Sequence, residues 1–307
     1  MEISLLLVRQ IAKMFIMASM GWLLVKTKVC ESKDSGNISV VALYVVVPCM
    51  IISTFQIDYS RERSSGLLVV LIAALIIHIF LILFAGLSRN ALRLSNIDAL
   101  SIIYTNCGNM IIPIISSVLG KNYVIYATGF MVVQLVFIWT HCVSSVSGEK
   151  RFAPKRILYN INFISIIIAA ALFFCHIKLP SILYEAVTVV GDMLAPINMI
   201  CIGMTIAGME AIKEKRTHIL CVSAVRLLII PLVLLPVFRL AAELIHIPDI
   251  KKILLVSYLG TIAPSAATIV QMAITFRGDV QEASAINAVS TLLCIFTIPL
   301  MVYLYLL

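Results

Sequence analysis

The chain has 307 residues, of which 62% are hydrophobic and only 12% are Asp, Glu, Lys or Arg. Soluble domains are about half apolar and about a quarter charged. The mean hydropathy of +1.09 therefore excludes an ordinary soluble enzyme, a disordered chain and a secreted disulfide scaffold. The net charge of +8 is concentrated in short gaps between long apolar runs, which indicates the loops of a membrane protein and not a nucleic-acid-binding surface.

Runs of about 20 apolar residues predict membrane-spanning helices. Ten such runs occupy almost the whole chain, and we expect an all-α integral membrane protein of the plasma membrane without a soluble domain. The predicted spans are residues 5–25, 38–55, 67–87, 100–119, 124–146, 161–177, 183–208, 219–240, 253–276 and 283–306.

The basic residues in the gaps predict the orientation. The gaps after the first, third, fifth, seventh and ninth spans contain 13 Lys and Arg, whereas the gaps on the opposite side contain 7. Because basic loops stay in the cytoplasm, we expect both termini outside and the central basic loop, with Lys150, Arg151, Lys155 and Arg156, inside.

The two halves of the chain share a pattern. Pro48 and Pro196 are 148 residues apart, and Gly120 and Gly278 are 158 apart. Each half has five predicted spans, an odd number, so the second half enters the membrane with inverted orientation. The sequence thus predicts two inverted five-helix repeats, residues 1–150 and 151–307, an arrangement typical of secondary transporters.

Polar residues and prolines interrupt the fourth and the ninth span. Because proline removes a backbone donor and disturbs the helix, and unpaired backbone groups persist in a membrane only where protein or a water-filled cavity receives them, these interruptions indicate a substrate site. The alternative is a pair of proline-kinked helices whose polar side chains bond to neighbouring helices. The candidate substrate-binding residues are Asn106, Asn109 and Pro113 in the fourth span and Pro264, Ser265, Thr268 and Gln271 in the ninth.

At these residues the chain resembles the bacterial branch of the auxin efflux carrier family. The resemblance rests on Asn106-x-Gly108-Asn109-x-x-x-Pro113, on the central basic loop, and on the segment from Ala263-Pro264-Ser265-Ala266 to Ile298-Pro299-Leu300. It implies two inverted repeats whose fourth and ninth helices are broken and cross, a scaffold beside a mobile transport domain, and elevator-like transport of organic anions such as auxin, malate or malonate.

The candidates for ion coupling or gating are three ionisable residues inside predicted spans, Asp192, Arg226 and His78, because charged groups in a membrane need partners. Arg226 either pairs structurally, with Asp192 or Glu210 as expected partners, or takes part in gating. His78 either relays protons or bonds to a neighbouring helix. Since no span carries a cluster of carboxylates, we expect no strong sodium dependence, although unwound carbonyls could hold Na⁺.

The sequence therefore favours a secondary carrier of a small organic anion, with H⁺ or Na⁺ as the open choice of coupling ion, no metal or other cofactor, and a homodimer among the possible assemblies. A sodium symporter of the bile-acid type is the nearest alternative. An intramembrane enzyme would need a motif such as H-E-x-x-H or G-x-S-x-G, which the chain lacks, and a sensor would need a soluble domain. The eight cysteines form no C-x-x-C pair and are expected to be free.

Overall fold

A computed structural model describes residues 2–147, 159–208, 216–276 and 278–307 of the chain. These residues form α-helices joined by short turns, and their only β-type pairing is an isolated bridge. All eight cysteines are free, which confirms the prediction. The central basic loop and Glu210 lie outside the described residues.

The first half forms helices whose order follows the predicted spans. They are α1 (Glu2–Lys26), α2 (Ser35–Val41), α3 (Val47–Thr54), α4 (Arg61–Ser88), α5 (Asn96–Ile103), α6 (Ile112–Val118), α7 (Val124–Phe137) and α8 (Val143–Ser147). Single π-helical turns, Ala42–Val46, Cys107–Ile111 and Ile138–Cys142, join α2 to α3, lead into α6, and join α7 to α8. Such turns often occur at functional sites.

The second half continues in the same manner. Its helices are α9 (Ile161–Phe174), α10 (Ser181–Asp192), α11 (Leu194–Gly208), α12 (Arg216–Ala224), α13 (Ile230–Leu244), α14 (Ile250–Ile262), α15 (Ala267–Thr275) and α16 (Val280–Leu306). A π-helical turn at Val225–Ile229 joins α12 to α13. Several helices begin at a side-chain cap; the Ser95 hydroxyl, for example, accepts a hydrogen bond from the Asp98 N–H at the start of α5.

Six helical stretches of the described residues are long and apolar enough to cross a membrane. They are Ser32–Thr54, Arg61–Ser88, Lys121–Val146, Ser181–Gly208, Thr217–Leu244 and Val280–Leu306. Ile161–Phe174 is a shorter apolar helix, and the helices of the predicted fourth and ninth spans are each divided in two. The protein is thus a multi-pass, helical membrane protein, while the number of ten spans stays a prediction.

The helices pack in two groups. In the first group, α1 lies along α11, and α3 packs against α9 and α10. In the second group, α4 and α14 pack against α7, α13 packs against α14, and α16 packs against α12 and α15. The two groups meet where α1 contacts α6 and α16, where α11 contacts α16 and the π-helical turn before α6, and where α3 and α9 contact α7.

Two glycines allow α1 and α11, in the first helix group, to pack closely against each other. A Cβ atom on Gly21 of α1 would lie 2.0 Å from the Ile200 carbonyl oxygen, and one on Gly203 of α11 would lie 1.8 Å from the Ala18 carbonyl oxygen. Any side chain at either position would therefore push the two backbones apart. Small residues permit such close packing between helices in a membrane.

Candidate functional site

Two interruptions in the helices lie side by side. The first separates α5 from the π-helical turn at residues 104–106, and the second separates α14 from α15 at residues 263–266. Thr105 and Ser265 form an antiparallel bridge, in which the Asn106 N–H donates to the Pro264 carbonyl (2.8 Å) and the Ala266 N–H donates to the Tyr104 carbonyl (3.1 Å). We call residues 104–106 and 263–266 the paired breaks.

The first of the paired breaks is supported by one amide side chain from α7. Gln134 accepts hydrogen bonds from the Thr105 N–H and hydroxyl (both 3.0 Å) and donates to the Thr105 carbonyl (2.8 Å). Gln134 is buried. The backbone groups of Thr105 that a continuous helix would have used are therefore satisfied by a side chain, as buried polar groups require.

The second of the paired breaks is supported in the same way by α16. Asn287 donates to the Ser265 carbonyl (2.7 Å), and the Ser265 N–H donates to the Ser290 hydroxyl (3.1 Å). Asn287 and Ser290 are both buried. An amide on the helix after each broken helix thus stabilises the break in its own half of the chain.

Arg226 connects the two breaks from the π-helical turn between α12 and α13. Its guanidinium donates to the carbonyl of Ile102 at the end of α5 (3.0 Å) and to the carbonyls of Thr261 (2.5 Å) and Ala263 (3.2 Å) at the end of α14. These are the carbonyls that a helix leaves without partners at its C-terminal end, where a positive charge is also favoured.

The charge of Arg226 is deeply buried. The side chain is 1% exposed, and no salt bridge joins it to an acid among the described residues. The expected partner Asp192 instead forms an ion pair with Lys121 (3.3 Å). The prediction of an Arg226–Asp192 pair is therefore wrong: among the described residues, which do not include Glu210, the guanidinium donates to helix carbonyls and not to a carboxylate.

Two uncharged donors at the paired breaks have no hydrogen-bonding partner in the described part of the chain. They are the Nδ2 atom of Asn106 and the hydroxyl of Ser265, one from each half. Asn106 is 4% exposed and Ser265 1% exposed. Buried donors are rarely left unpaired, because each costs about 1–3 kcal/mol, so these two atoms are suited to receive a bound acceptor.

The remaining candidates of the two interrupted spans are placed less centrally. Thr268 and Gln271 lie on α15 and are partly buried. Pro113 is near the start of α6, after the π-helical turn, and not in the break. Only Pro264 lies within its break, and the role of both prolines in keeping the backbone open stays a prediction. The side chain of Asn109 is outside the described part of the structure.

A cavity of about 260 Å³ lies between the two helix groups. It is lined by α1, α3, α6 and the α10–α11 region, and the Lys121–Asp192 ion pair lies at its wall. Of the candidate residues, Pro113 and Asp192 line this cavity, whereas the described lining does not include Asn106, Ser265, Thr268 or Gln271. The cavity and the paired breaks are thus adjacent through α6 but separate.

His78 occupies an aromatic environment near the first break. Its Nδ1 atom is 2.7 Å from the Ala74 carbonyl, and its ring stacks on Phe137 at 5.3 Å and lies 6.3 Å from the ring of Tyr104. The side chain is fully buried. This bond is to its own helix, α4, and not to a neighbouring helix as the structural alternative expected, and a role of His78 in coupling stays a prediction.

Sequence reasoning missed the supporting role of Gln134 and did not select Asn287 or Ser290. One signal was present: Gln134 and Asn287 are 153 residues apart, close to the spacing of the other repeated residues, so both are amides at corresponding places in the two halves. Their contacts to Thr105 and Ser265 join residues distant in sequence, and the pattern alone does not reveal them.

The apolar helices, the interruptions inside them and the buried guanidinium define a polytopic membrane protein built around an internal polar site. Residues 6–150 and again residues 149–302 match the family described as membrane transport protein. The chain belongs to this family, the auxin efflux carrier type of membrane transporter, which confirms the resemblance found in the sequence. No curated protein is significantly similar to the chain.

Proposed function

We propose that the protein is a secondary transporter of small organic anions, either dicarboxylates such as malate or auxin-like monocarboxylates. The observation that supports this proposal most strongly is the buried charge of Arg226 at the paired breaks. Two helix C-termini (α5 and α14) and two helix N-termini (the π-helical turn and α15) meet there. Each C-terminus carries a partial charge of about −0.5 and each N-terminus about +0.5, so the four partial charges sum to about zero. The guanidinium therefore leaves about one positive charge at the site, which an anion can neutralise.

The uncharged donors support the same substrate class. The Asn106 amide and the Ser265 hydroxyl lie at the two helix N-termini, where anions are bound in many proteins. Neutral donors suit a transporter, because the site without substrate then adds no further buried charge. A carboxylate that accepted from both atoms would satisfy them and place its charge near the two helix N-termini.

The proposed mechanism is elevator-like alternating access. The paired breaks belong to the second helix group, and the close contact of α1 with α11 makes the first group a suitable scaffold. Because Asn106 and Ser265 are almost completely buried, substrate reaches them only after a movement. The cavity between the groups, with Lys121 at its wall, is the proposed approach for an anion.

The contacts of Arg226 favour transport that does not depend on sodium. Unwound carbonyls at broken helices are ligands that transporters use for Na⁺, and in this protein a guanidinium engages three of them. The proposal therefore leaves protons, or no coupling ion, as the choices. A steep sodium requirement for uptake would instead support a symporter of the bile-acid type.

Uptake into proteoliposomes tests the proposal. Labelled malate and indole acetate are supplied with and without imposed H⁺ or Na⁺ gradients, and we expect saturable uptake of at least one anion without Na⁺. Asn106→Ala should weaken apparent affinity by roughly ten- to hundredfold, the equivalent of a lost hydrogen bond to a charged group. Asn162→Ala, a buried asparagine of α9, is the matched control. Unchanged affinity in Asn106→Ala would contradict the site.

The proposed orientation, with both termini outside in the plasma membrane, has a separate test. Asn90, between α4 and α5, and Arg61, at the start of α4, are both exposed and lie at opposite ends of one helix. In a cysteine-free background, Arg61→Cys should react with an impermeant thiol reagent on intact cells and Asn90→Cys should not. The reverse labelling pattern would invert the orientation.

A further inference from the structure

Three potential metal ligands from three helices meet away from the paired breaks. Asp98 lies in the first turn of α5, His218 near the start of α12, and Glu282 in the first turn of α16. One ligand atom from each lies within 4.8 Å of the other two. Asp98 is fully buried and Glu282 is 5% exposed, whereas the His218 side chain is 33% exposed, so this cluster has a route to solvent.

Among the described residues, one oxygen of the Asp98 carboxylate has no hydrogen-bond donor. The Oδ2 atom of Asp98 accepts from the Ser95 N–H (2.8 Å) and lies 2.7 Å from Nε2 of His218. The Ser95 hydroxyl donates to Oε2 of Glu282 (3.1 Å). The Oδ1 atom of Asp98 is buried and has no hydrogen-bonding partner in the described residues.

Helix N-termini explain part of this arrangement. Asp98 and Glu282 each occupy the first turn of a helix, where negative charge is favoured. This effect makes two neighbouring buried carboxylates tolerable, but it does not supply a partner for Oδ1 of Asp98. An unpaired oxygen of a buried carboxylate is costly, and a cation beside the histidine and the second carboxylate would satisfy it.

We propose that Asp98, His218 and Glu282 bind one divalent transition-metal ion of the Zn²⁺ class. One imidazole nitrogen and two carboxylate oxygens suit such an ion, whereas Mg²⁺ and Ca²⁺ prefer oxygen ligands alone. The His218 ring coordinates through Nε2 and carries its proton on Nδ1, so Nε2 exchanges its contact with Asp98 for a bond to the metal. Water completes the coordination on the exposed side.

A metal at this cluster would join the start of α5 to α12 and α16. The ion would hold these three helices together, and α5 leads directly into the first of the paired breaks. The site is separate from the proposed substrate site, and its presence does not depend on whether the protein carries anions.

Zinc titration of the purified full chain tests the site. Protein in detergent is stripped with a chelator and titrated with ZnCl₂, with MgCl₂ as the specificity control, while heat of binding, bound metal and thermal unfolding are measured. Cys175→Ser and Cys221→Ser are introduced into every sample because these two thiols are exposed and bind zinc themselves. We expect one equivalent of Zn²⁺ and a rise in unfolding temperature, and neither effect with Mg²⁺.

Variants decide whether the bound zinc lies at the cluster. His218→Ala and Asp98→Asn should each weaken Zn²⁺ binding at least about tenfold, because each removes one of three protein ligands. In Asp98→Asn, the amide oxygen can still accept the hydrogen bond from the Ser95 N–H, so this variant is expected to fold. His246→Ala, an exposed histidine in the α13–α14 loop, should bind like the parent. Absence of stoichiometric binding in the parent, or Zn²⁺ affinity equal to that of the parent in both cluster variants, overturns the proposal.

Discussion

The two breaks are built on the same plan but are held with different strength. In the first, Gln134 makes three hydrogen bonds to a single residue, Thr105. In the second, two side chains support the break: Asn287 and Ser290 make one hydrogen bond each to Ser265. In addition, Pro264 removes a backbone donor within this break. An interrupted helix can thus be maintained either by a side chain that replaces the lost backbone partners or by a residue that cannot form them.

Arg226 is the element common to both breaks, and its removal should have the largest effect. Arg226→Met leaves three buried carbonyls without their donor, and we expect a loss of about 3 kcal/mol or more in the free energy of unfolding, together with loss of transport. Thermal unfolding in detergent measures the first and proteoliposome uptake the second. Arg239→Met, at an exposed arginine of α13, is the control; equal unfolding temperatures for the two variants would contradict this role.

Removing each amide compares the two supports directly. Gln134→Met should cost about 2 kcal/mol of stability and Asn287→Leu about 1 kcal/mol, because the first leaves more backbone groups unpaired. Because Thr105 and Ser265 are bridged, the double variant should lose less than the sum of both. Denaturant or thermal unfolding of the four proteins measures these differences. An Asn287→Leu variant less stable than Gln134→Met would reverse the comparison.

The two prolines should differ in their effect on transport. Pro264→Ala restores a donor inside the break and favours a continuous helix, so uptake should fall roughly tenfold for every substrate. Pro113→Ala restores a donor within the continuous helical stretch formed by the π-helical turn and α6, outside the break, and uptake should change little. Initial rates of uptake at equal protein density measure both. Similar losses in the two variants would show that the location of a proline relative to the break is unimportant.

The ion pair at the cavity should have the smallest effect on stability. The Lys121 and Asp192 side chains are 68% and 65% exposed, and such pairs contribute about 0–1 kcal/mol. Lys121→Gln should therefore unfold like the parent but should reduce anion uptake at low ionic strength, with the difference decreasing as salt is added. Uptake measured at several salt concentrations checks this; a salt-independent defect would indicate direct contact with the substrate.

The sequence predicted features that depend on local pattern. The apolar helices, the free cysteines and the polar interruptions near Asn106 and Pro264 follow from composition and from the chemistry of proline. The partners of Arg226 and the support given by Gln134 and Asn287 depend on contacts between distant segments, which no local pattern encodes. The Asp98–His218 contact likewise joins residues 120 positions apart.

The close contact of α1 with α11 has a consequence for how the molecule can change shape. At Gly21 and Gly203 backbone meets backbone, and the two helices cannot slide past each other without a collision of main-chain atoms. The contacts between the two groups, such as those of α1 with α6 and α16, involve no comparable interlock of glycine against carbonyl oxygen among the described residues. If one helix group moves past the other, the sliding would therefore occur at the contacts between the groups, where side chains can exchange one set of neighbours for the next.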